Sequence, residues 1–421
     1  MKTRLLSITA LLTTSIFCPT TTAQEVVGIT ATSPILLRQD LSSANCAMKK
    51  CAPASFEKQV ARHAGGSAYD SRRRGVWNTN GSLLANIDPY TGKCDYICKP
   101  QPIPFPPDPS VRHYATGLAY VDSGARQSSN KVPPGWLFVS YNSNYIARLN
   151  VLRCSVDGKF CKLQLPRGSV IAGLATDDVG RRLYIGVVQA NNTNLILVTD
   201  LDGSWCNPIC KSIPPGCNPN LPMGPLTGLA FDSCSHSLII TDGKLTTRYA
   251  ISAGGCTLRP LGCCPNTADP FTGLCLLPNT DIHSVGNSCS TKACESCPTM
   301  RAELLGDPVL GNPYFGLGLR EAPNKASTAI LAIGLGACSS PGINLGFCTN
   351  ILVPFPPILN FFPLSPITTP GCNRSVSVPY SVPLNPNLCG LRASFQWLVI
   401  CKGKPMGIGV TNCVDFMFAG S

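Results

Sequence analysis

Residues 228–243 read GLAFDSCSHSLIITDG, two short apolar runs separated by a polar turn and closed by Asp-Gly. Each run is too short for a helix, and both are bounded by small polar residues, which is typical of strands. Asp-Gly suits a tight hairpin turn because glycine adopts positive φ angles without steric cost. The stretch therefore predicts the first two strands of an antiparallel unit, with a turn leading into a third.

The opening phrase of this stretch recurs along the chain. Its first glycines lie between 45 and 56 residues apart, and the copies are GSAYD at 66–70, GLAYVD at 117–122, GLATD at 173–177, GLAFD at 228–232 and GLCLL at 273–277. Two more alternating runs follow each of the first four copies. Helical solenoids share such periods, but the alternation in twos and the abundance of Val, Ile, Tyr and Thr favour strands. Four strands in each repeated unit predict a β-propeller.

The two ends of the array complement each other. The fifth unit, from Gly273, has a first strand but no clear third, whereas Ile35–Leu41 followed by Cys46 and Cys51 matches the second half of a unit. We expect the N-terminal segment to complete the last blade, because a closed ring leaves no free sheet edge. This gives five blades, with a six-bladed ring containing one degenerate unit as the alternative.

Every unit ends in closely spaced cysteines, which we expect to staple the loop between the third and fourth strands. The pairs are Cys94/Cys98, Cys154/Cys161, Cys206/Cys210, and Cys256 with Cys263 or Cys264. Three further pairs, beyond the repeats, are Cys338/Cys348, Cys372/Cys389 and Cys401/Cys413. Spacing alone leaves the connectivity of these cysteines open.

The repeats resemble those of secreted bacterial β-propellers of the NHL or YVTN type. The Gly-Leu-Ala-x-Asp opening and the Thr241-Asp242-Gly243 turn carry the resemblance, which spans roughly residues 30–290. Such propellers include lyases, lactonases and non-catalytic binding modules. The resemblance therefore implies the fold and leaves the function open.

Beyond about Cys297 the repeat is lost. Several short alternating runs with Pro-rich connections over about 120 residues predict a β-sandwich. The segment is similar to terminal modules of secreted proteins from environmental bacteria, with Gly311-Asn-Pro near its start and Gln396-Trp397 near its end. That resemblance implies no chemistry. We therefore divide the chain into an N-terminal leader, 1–23, which is described next, the propeller, 24–297, and the sandwich, 298–421.

Composition and the N-terminus both indicate export. The chain has 24 cysteines, which is hard to reconcile with a reducing cytosol. Lys2 and Arg4 precede an apolar run up to Phe17, and Thr21–Ala23 offers small residues for cleavage, so residues 1–23 have the form of a signal peptide. We expect a secreted, extracellular or periplasmic protein without a membrane span. Cys18 falls in this leader, so the mature chain has an odd number of cysteines.

Polar residues at the predicted channel mouth form the candidate ligand site. His63 and His113 precede the opening glycines of the first two units, and Asn80, Asn142 and Asp242 lie in turns expected on the same face. Convergent polar groups around the mouth of a ring are a common ligand site. The alternative is structural, because Asn-Gly and Asp-Gly are also what a tight hairpin turn requires.

Metal and catalytic motifs are weak. Cys294-Glu-Ser-Cys297, with Cys289 and His283 nearby, could form a zinc knot. Exported cysteines more often form disulfides, so we expect neither a metal nor a cofactor. Asp and Glu number only 22, and no carboxylate dyad stands out. Arg72–Arg74 is a short basic cluster, and nucleic-acid binders have larger basic faces.

These observations favour a secreted, non-enzymatic protein whose propeller face binds a polysaccharide or a protein. A formal net charge of +12 favours anionic partners by general attraction. The alternatives are a propeller hydrolase or lyase acting on a sugar or lactone through His63, His113 and Asp242, and a structural component of an extracellular layer.

Overall fold

The computed structural model describes most of the chain from residue 25 onwards. The described ranges are 25–29, 36–40, 48–51, 66–79, 84–89, 94–98, 115–121, 135–142, 144–151, 153, 155–201, 206–217, 223–252, 254–265, 273–291, 294, 297–364, 371–402 and 407–420. For residues 26–29, 36–40, 48–51, 94–98 and 156–160 the structure describes the backbone alone. Across these ranges, no helix is long and apolar enough to cross a membrane.

The described residues before 278 form twenty strands. They are β1 (Glu25–Ile29), β2 (Leu36–Asp40), β3 (Met48–Cys51), β4 (Ser67–Asp70), β5 (Gly75–Thr79), β6 (Leu84–Ile87), β7 (Cys94–Cys98), β8 (Ala115–Val121), β9 (Trp136–Tyr141), β10 (Tyr145–Asn150), β11 (Ser155–Lys162), β12 (Val170–Asp177), β13 (Arg182–Val188), β14 (Asn194–Asp200), β15 (Cys210–Ser212), β16 (Gly228–Asp232), β17 (Ser237–Thr241), β18 (Leu245–Ile251), β19 (Leu258–Pro265) and β20 (Cys275–Leu277).

These strands form four-stranded antiparallel sheets, one for each copy of the opening phrase. The sheets are β4 to β7, β8 to β11, β12 to β15, β16 to β19, and a fifth with the order β20-β1-β2-β3. In the fifth sheet, β1 pairs antiparallel with β20, so that Val26 lies opposite Leu276. The N-terminal strands therefore complete the sheet that β20 begins.

The opening glycines bring the first strands of the sheets together in a closed circle. A Cβ added to Gly66 would lie 2.7 Å from the Cα of Gly117, and one added to Gly117 would lie 3.0 Å from the Cα of Gly173. The series continues through Gly228 to Gly273, where an added Cβ would lie 2.9 Å from the Cα of Gly66. Only glycine permits this approach of backbones. We call the five sheets the ring.

The ring is held together by apolar layers between successive sheets. Side chains alternate along each inner strand, so Leu118 packs towards the first unit and Ala119 towards the third. The layer between the third and fourth units contains the stacked rings of Tyr184 and Phe231, with centroids 5.4 Å apart. The second and third units thus bury both of their faces against their neighbours.

The aspartate that ends the opening phrase caps the turn after the first strand. Asp70 accepts the backbone N–H groups of Arg72 and Arg73, both at 3.1 Å. Asp232 accepts the N–H of Cys234 at 2.9 Å in the same way. Such side-chain bonds satisfy turn donors that lack a sheet partner. In the Gly-Leu-Ala-x-Asp phrase, the glycine therefore allows the inner strands to pack closely, and the aspartate caps the turn that follows.

The remaining chain forms the module, which we define as residues 281–420. Its elements are β21 (His283–Val285), β22 (Cys289–Ser290), β23 (Arg301–Leu305), β24 (Gly316–Ala322), β25 (Ala326–Leu335), β26 (Ile358–Pro363), β27 (Arg374–Pro379), a 3-10 helix (Pro386–Leu388), β28 (Arg392–Cys401) and β29 (Gly407–Met417).

The module is a sandwich of two antiparallel sheets. One has the order β21-β29-β28-β25-β26, with β22 also on β29, and the other has the order β23-β24-β27. Leu319 from the smaller sheet packs with Phe395 and Trp397 from the larger one in a single buried core. The predicted all-β fold, a β-propeller followed by a β-sandwich, is confirmed. The boundary we placed at residue 297 differs from the strand pairing, because β21 and β22 both pair with β29.

The disulfides of the ring correct the predicted staples. Cys206 and Cys210 do not pair with each other: Cys206 bonds to Cys161 of the preceding unit, and Cys210 bonds to Cys256 of the next. Cys263 bonds to Cys217, so it does not pair with Cys256 either, and Cys161 is not stapled to Cys154. Each of these bonds joins cysteines of neighbouring sheets that lie on, or next to, the outer strands. Cys46 and Cys154 lie outside the described residues, as do the side chains of Cys51, Cys94 and Cys98.

The module cysteines also pair differently from the prediction. The bonds are Cys234–Cys389, Cys289–Cys348, Cys294–Cys401, Cys297–Cys372 and Cys338–Cys413. None of the predicted pairs Cys338/Cys348, Cys372/Cys389 and Cys401/Cys413 forms. The two cysteines of the Cys294-x-x-Cys297 motif bond to separate distant partners, and Cys289 bonds to a third. These thiolates are thus unavailable for a zinc knot.

Candidate functional site

The ring has two faces, and the direction of its inner strands defines them. All five inner strands pass the circle of glycines in the same direction, so the turns that follow them lie on one face. We call this the module face; it carries Ser71–Arg74, Gly135, Asp178–Arg181 and Ser233–His236. The opposite face, the free face, carries the turns between second and third strands, including Asn142, Gln189–Thr193 and Asp242–Lys244.

Asp307 of the module docks on the turn of the first unit. Its backbone N–H donates to the carbonyl of Ser71 at 3.0 Å, and its carboxylate lies 2.7 Å from Nε of Arg74. The hydroxyl of Tyr69 donates to the same carboxylate. Burial raises the pKa of Asp307, while Arg74 and Tyr69 act to lower it. A buried acid with these partners marks a tightly closed interface.

The next three units also contact the module on this face. The ring of Tyr314 lies against Gly135 of the second unit, and the guanidinium of Arg72 stands 4.3 Å from the centroid of the same ring. Val179 of the third unit packs against the sandwich core. Cys234 of the fourth unit is bonded to Cys389. The module thus covers the turns of four units.

A cluster of charged side chains lies where the chain leaves the last unit and enters the module. The guanidinium of Arg392 donates to Asp415 at 2.5 Å and also to Asp281, and His283 lies 3.2 Å from Asp281. Burial alone would lower the pKa of Arg392, but its bonds to Asp415 and Asp281 outweigh this and raise it. Because Arg392 bonds to both carboxylates, the cluster ties the start of the module, at Asp281, to β28 and β29.

Asp242, a predicted ligand residue, is fully engaged by the backbone. One carboxylate oxygen accepts the N–H groups of Lys244 and Leu245 at 2.9 and 2.7 Å, and the other accepts that of Gly224 at 2.8 Å. Gly243 has a φ of 88°. The structure therefore gives Asp242 the turn-forming role that the alternative interpretation assigned to it.

Asn194 completes the same arrangement and was missed in the sequence. Its amide nitrogen donates to the carbonyl of Gly224 at 2.8 Å, and its oxygen accepts the N–H of Leu226 at 2.9 Å. Together, Asn194 and Asp242 hold the segment that enters the fourth unit. No spacing rule links residue 194 to residue 224, so sequence reasoning had no signal for this contact.

Of the other predicted ligand residues, only Asn142 is described. It is half-buried in the turn of the second unit, on the same face as Asp242 but separated from it by the third unit. The neighbouring Asn144 has a φ of 63°, which fits the tight turn there. His63, Asn80 and His113 lie outside the described residues.

The free face carries exposed cations. Lys162 ends β11, and its ammonium lies 5.5 Å from the ring centroid of Tyr145. Arg167 follows in the connection to the third unit, and Lys244 stands in the turn of the fourth; all three are exposed. Asp242 is the one acid among the described residues of this face, and three N–H groups surround its charge. The described part of the free face is therefore net cationic.

Comparison with known proteins gives no family. No protein-family description and no curated protein matches the chain. Among solved structures, similarity is found to a nidogen/laminin complex, with 14% identity, a TM-score of 0.35, and coverage of 60% of this chain and 98% of that one. The RRP9 WD40 repeats show 12% identity and a TM-score of 0.31, with coverage of 60% of this chain and 84% of that one. The Myceliophteria thermophila Cps50 (Swd1) β-propeller domain shows 10% identity and a TM-score of 0.30, with coverage of 60% of this chain and 88% of that one. Similarity this low carries no argument about function.

Proposed function

We propose that the protein is an exported, non-enzymatic binding protein whose free face binds an anionic polysaccharide. The observation that carries the proposal is the position of the module. It covers the turns of four units on one face, through Asp307, Tyr314, the sandwich core and Cys389. A ligand that uses the ring must therefore approach the opposite face.

The proposal takes the five four-stranded sheets as five blades and residues 1–23 as a cleaved leader. Eight disulfides join the described cysteines, and bonds of this kind persist in oxidising compartments. An oxidising compartment outside the cytosol would also bring the protein to extracellular polymers.

Charge on the free face favours an anionic ligand. Lys162, Arg167 and Lys244 are exposed there, whereas the carboxylate of Asp242 is already occupied by backbone donors. Exposed charges attract over about 8–10 Å at physiological salt, so a polymer that contacts several cations at once gains more than a small ion does. Exposed amides such as Asn191 offer hydrogen bonds to sugar hydroxyls.

The same geometry weighs against Asp242 as a catalytic base. A general base must be within hydrogen-bond reach of a substrate proton, and both oxygens of Asp242 accept backbone N–H groups instead. If Asp242 gave up these hydrogen bonds, the turn of the fourth unit and the segment at Gly224 would lose the contacts that hold them in place. This supports binding over hydrolysis at this position.

Binding to defined polysaccharides tests the proposal. We expect the full-length protein to bind a polyuronate or sulfated glycan more tightly than a neutral glycan, with affinity falling as salt increases. The double variant Lys162→Glu/Lys244→Glu should lose about tenfold or more, equivalent to about 1.4 kcal/mol, in isothermal titration.

Arg153→Glu is the matched control. Arg153 is exposed in the same unit as Lys162 but lies beyond the opposite end of β11. Binding by this variant should be close to that of the wild type. Equal binding of neutral glycans, or an equal loss with Arg153→Glu, would refute the proposed site; thermal melting of each variant separates that outcome from misfolding.

A further inference from the structure

The module exposes apolar side chains along one edge of its larger sheet. Seven exposed large apolar side chains lie between residues 335 and 361, against six in the rest of the described chain. Five of the seven lie on or beside β26, the last strand of that sheet, and we call them the apolar edge: Leu335, Phe355, Ile358, Leu359 and Phe361. Exposed apolar surface concentrated in one place marks a site of interaction.

Alternation along β26 divides its side chains between the two faces of the sheet. The amide nitrogen of Asn360 donates to the hydroxyl of Tyr380 at 3.2 Å, and the ring of Phe362 lies 5.6 Å from that of Trp397 in the sandwich core. Asn360 and Phe362 therefore face inwards. Leu359 and Phe361 point to the outer face of the sheet, where they are 49% and 64% exposed.

The outer face carries an apolar row that the chain covers at one end only. Residues opposite each other on four neighbouring strands form this row, in the order Phe361, Ile330, Leu398 and Val410. Residues 351–353 pack over the fully buried Val410. Leu398 and Ile330 are half-buried, and Phe361 is exposed. The apolar surface thus continues to the sheet edge beyond the segment that covers it.

The backbone of β26 is open to a further strand. Within the described chain β26 pairs with β25 alone, so its other side presents backbone groups without a strand partner. Natural proteins protect such edges with charged residues and prolines. Residues 326–373 contain no Asp, Glu, Lys, Arg or His. Prolines stand at 356, 357 and 363, which leaves residues 358–362 able to pair.

We infer that the apolar edge joins two copies of this protein, with β26 antiparallel to β26 of the second copy. The chain has a formal net charge of +12, so two copies repel each other in general. The charge-free edge is where they can meet without placing like charges opposite each other. With a two-fold axis at Asn360, Phe361 lies opposite Leu359 of the second copy on the same outer face. Each copy then covers the open end of the other's apolar row.

The exposed area is sufficient for a weak dimer. The side chains of the apolar edge each expose on the order of 100 Å². Two copies would bury about 1,000 Å² in all, which is near the lower bound for a specific interface. A two-fold contact uses the same surface on both copies and closes on itself. We therefore expect a dimer, and no larger assembly, that dissociates on dilution.

Sedimentation velocity of the full-length protein tests the inference. Between about 1 and 100 μM, the wild type should shift from monomer to dimer as concentration rises. Phe361→Lys should weaken the dimer at least about tenfold, because it places two like charges at the contact. Ile213→Lys is the matched control: Ile213 follows β15 in the ring and is also 64% exposed. This control should dimerise like the wild type.

Hydrogen exchange of the wild-type protein locates the contact without a substitution. Amides of residues 358–362 should exchange more slowly at the high concentration than at the low one, and this readout decides alone if Phe361→Lys misfolds in thermal melting. A wild type that stays monomeric, a dimer that Phe361→Lys leaves intact, or an equal loss in Ile213→Lys would overturn the inference. So would a monomer that floats with phosphatidylcholine vesicles through Phe361, since the edge would then bind lipid.

Discussion

The ring and the module are both cross-linked by disulfides, but the bonds connect the chain in different ways. Ring disulfides join residues 45 or 46 positions apart, and each spans one junction between similar sheets. Disulfides within the module join residues 59 to 107 positions apart and tie unlike elements together, and Cys234–Cys389, 155 positions apart, joins the ring to the module. In the ring, the disulfides recur from one repeat to the next. In the module, each of these disulfides has one cysteine ahead of β23 or in the last two strands of the sandwich, and one further bond fixes the module to the ring.

This contrast makes Cys234–Cys389 the most informative bond. It is the one disulfide among the described residues that links the ring to the module. The other contacts at this interface are an ion pair, hydrogen bonds and packing. Covalent and non-covalent contributions to the interface are therefore separable by substitution.

Removing this bond should give the largest effect. We expect Cys234→Ser/Cys389→Ser to lose about 2–4 kcal/mol of unfolding free energy, because the crosslink restricts a long loop in the unfolded chain. Ring and module should then unfold in separate steps in guanidinium chloride, followed by tryptophan fluorescence, to which Trp397 contributes from the module and Trp77, Trp136 and Trp205 from the rest of the chain.

Cys217→Ser/Cys263→Ser is the control for the ring alone. This bond joins neighbouring units and does not reach the module. The control should lower the unfolding midpoint without separating the two steps. If the Cys234/Cys389 variant unfolds in one step at the wild-type midpoint, the bond does not couple the two regions.

A smaller effect is expected from Asp307, the buried acid at the interface. Burial raises its folded pKa above the unfolded value, so its protonated form favours the folded state. That contribution is complete below the unfolded pKa of about 3.9 and is lost as pH rises through the folded pKa, at about 1.4 kcal/mol for each tenfold change in proton affinity. Asp307→Asn should therefore gain stability relative to the wild type as pH rises above about 4.

Glu321→Gln should show the opposite trend. Hydrogen bonds from Thr299 and Arg301 lower the pKa of Glu321, so its contribution is present above the unfolded pKa and is lost as pH falls. Urea unfolding measures the two slopes, above about pH 4 for Asp307→Asn and below about pH 4.3 for Glu321→Gln. A flat or falling difference for Asp307→Asn would show that its charge is not disfavoured at the interface.

Local patterns predicted the strands of the ring because each unit follows one alternating template. Gly228 and Asp232, the ends of the opening phrase, have the packing and turn roles that make the phrase recur. Disulfide partners were missed for a physical reason. Cys206 and Cys210 are close in sequence, but the outer strand on which Cys210 lies carries it towards the next sheet, and sequence spacing does not contain that direction.

The site was harder to predict than the fold. Asn142 and Asp242 lie on the expected face, yet Asp242 forms a turn through contacts with Gly224 that are distant in sequence. The covering of the module face was also hidden, because Asp307, Tyr314 and Cys389 belong to a segment without repeats. Which face of the ring is open follows only from how the two regions pack.

Footprinting of lysines in the presence of a polyuronate tests this account most directly. The protein, with and without the polymer, is acetylated briefly, and the rate at each lysine is measured by mass spectrometry. We predict that Lys162 and Lys244 on the free face become protected while Lys325 and Lys402 on the module react as before. Protection of Lys325 and Lys402 with unchanged rates at Lys162 and Lys244 would contradict the account.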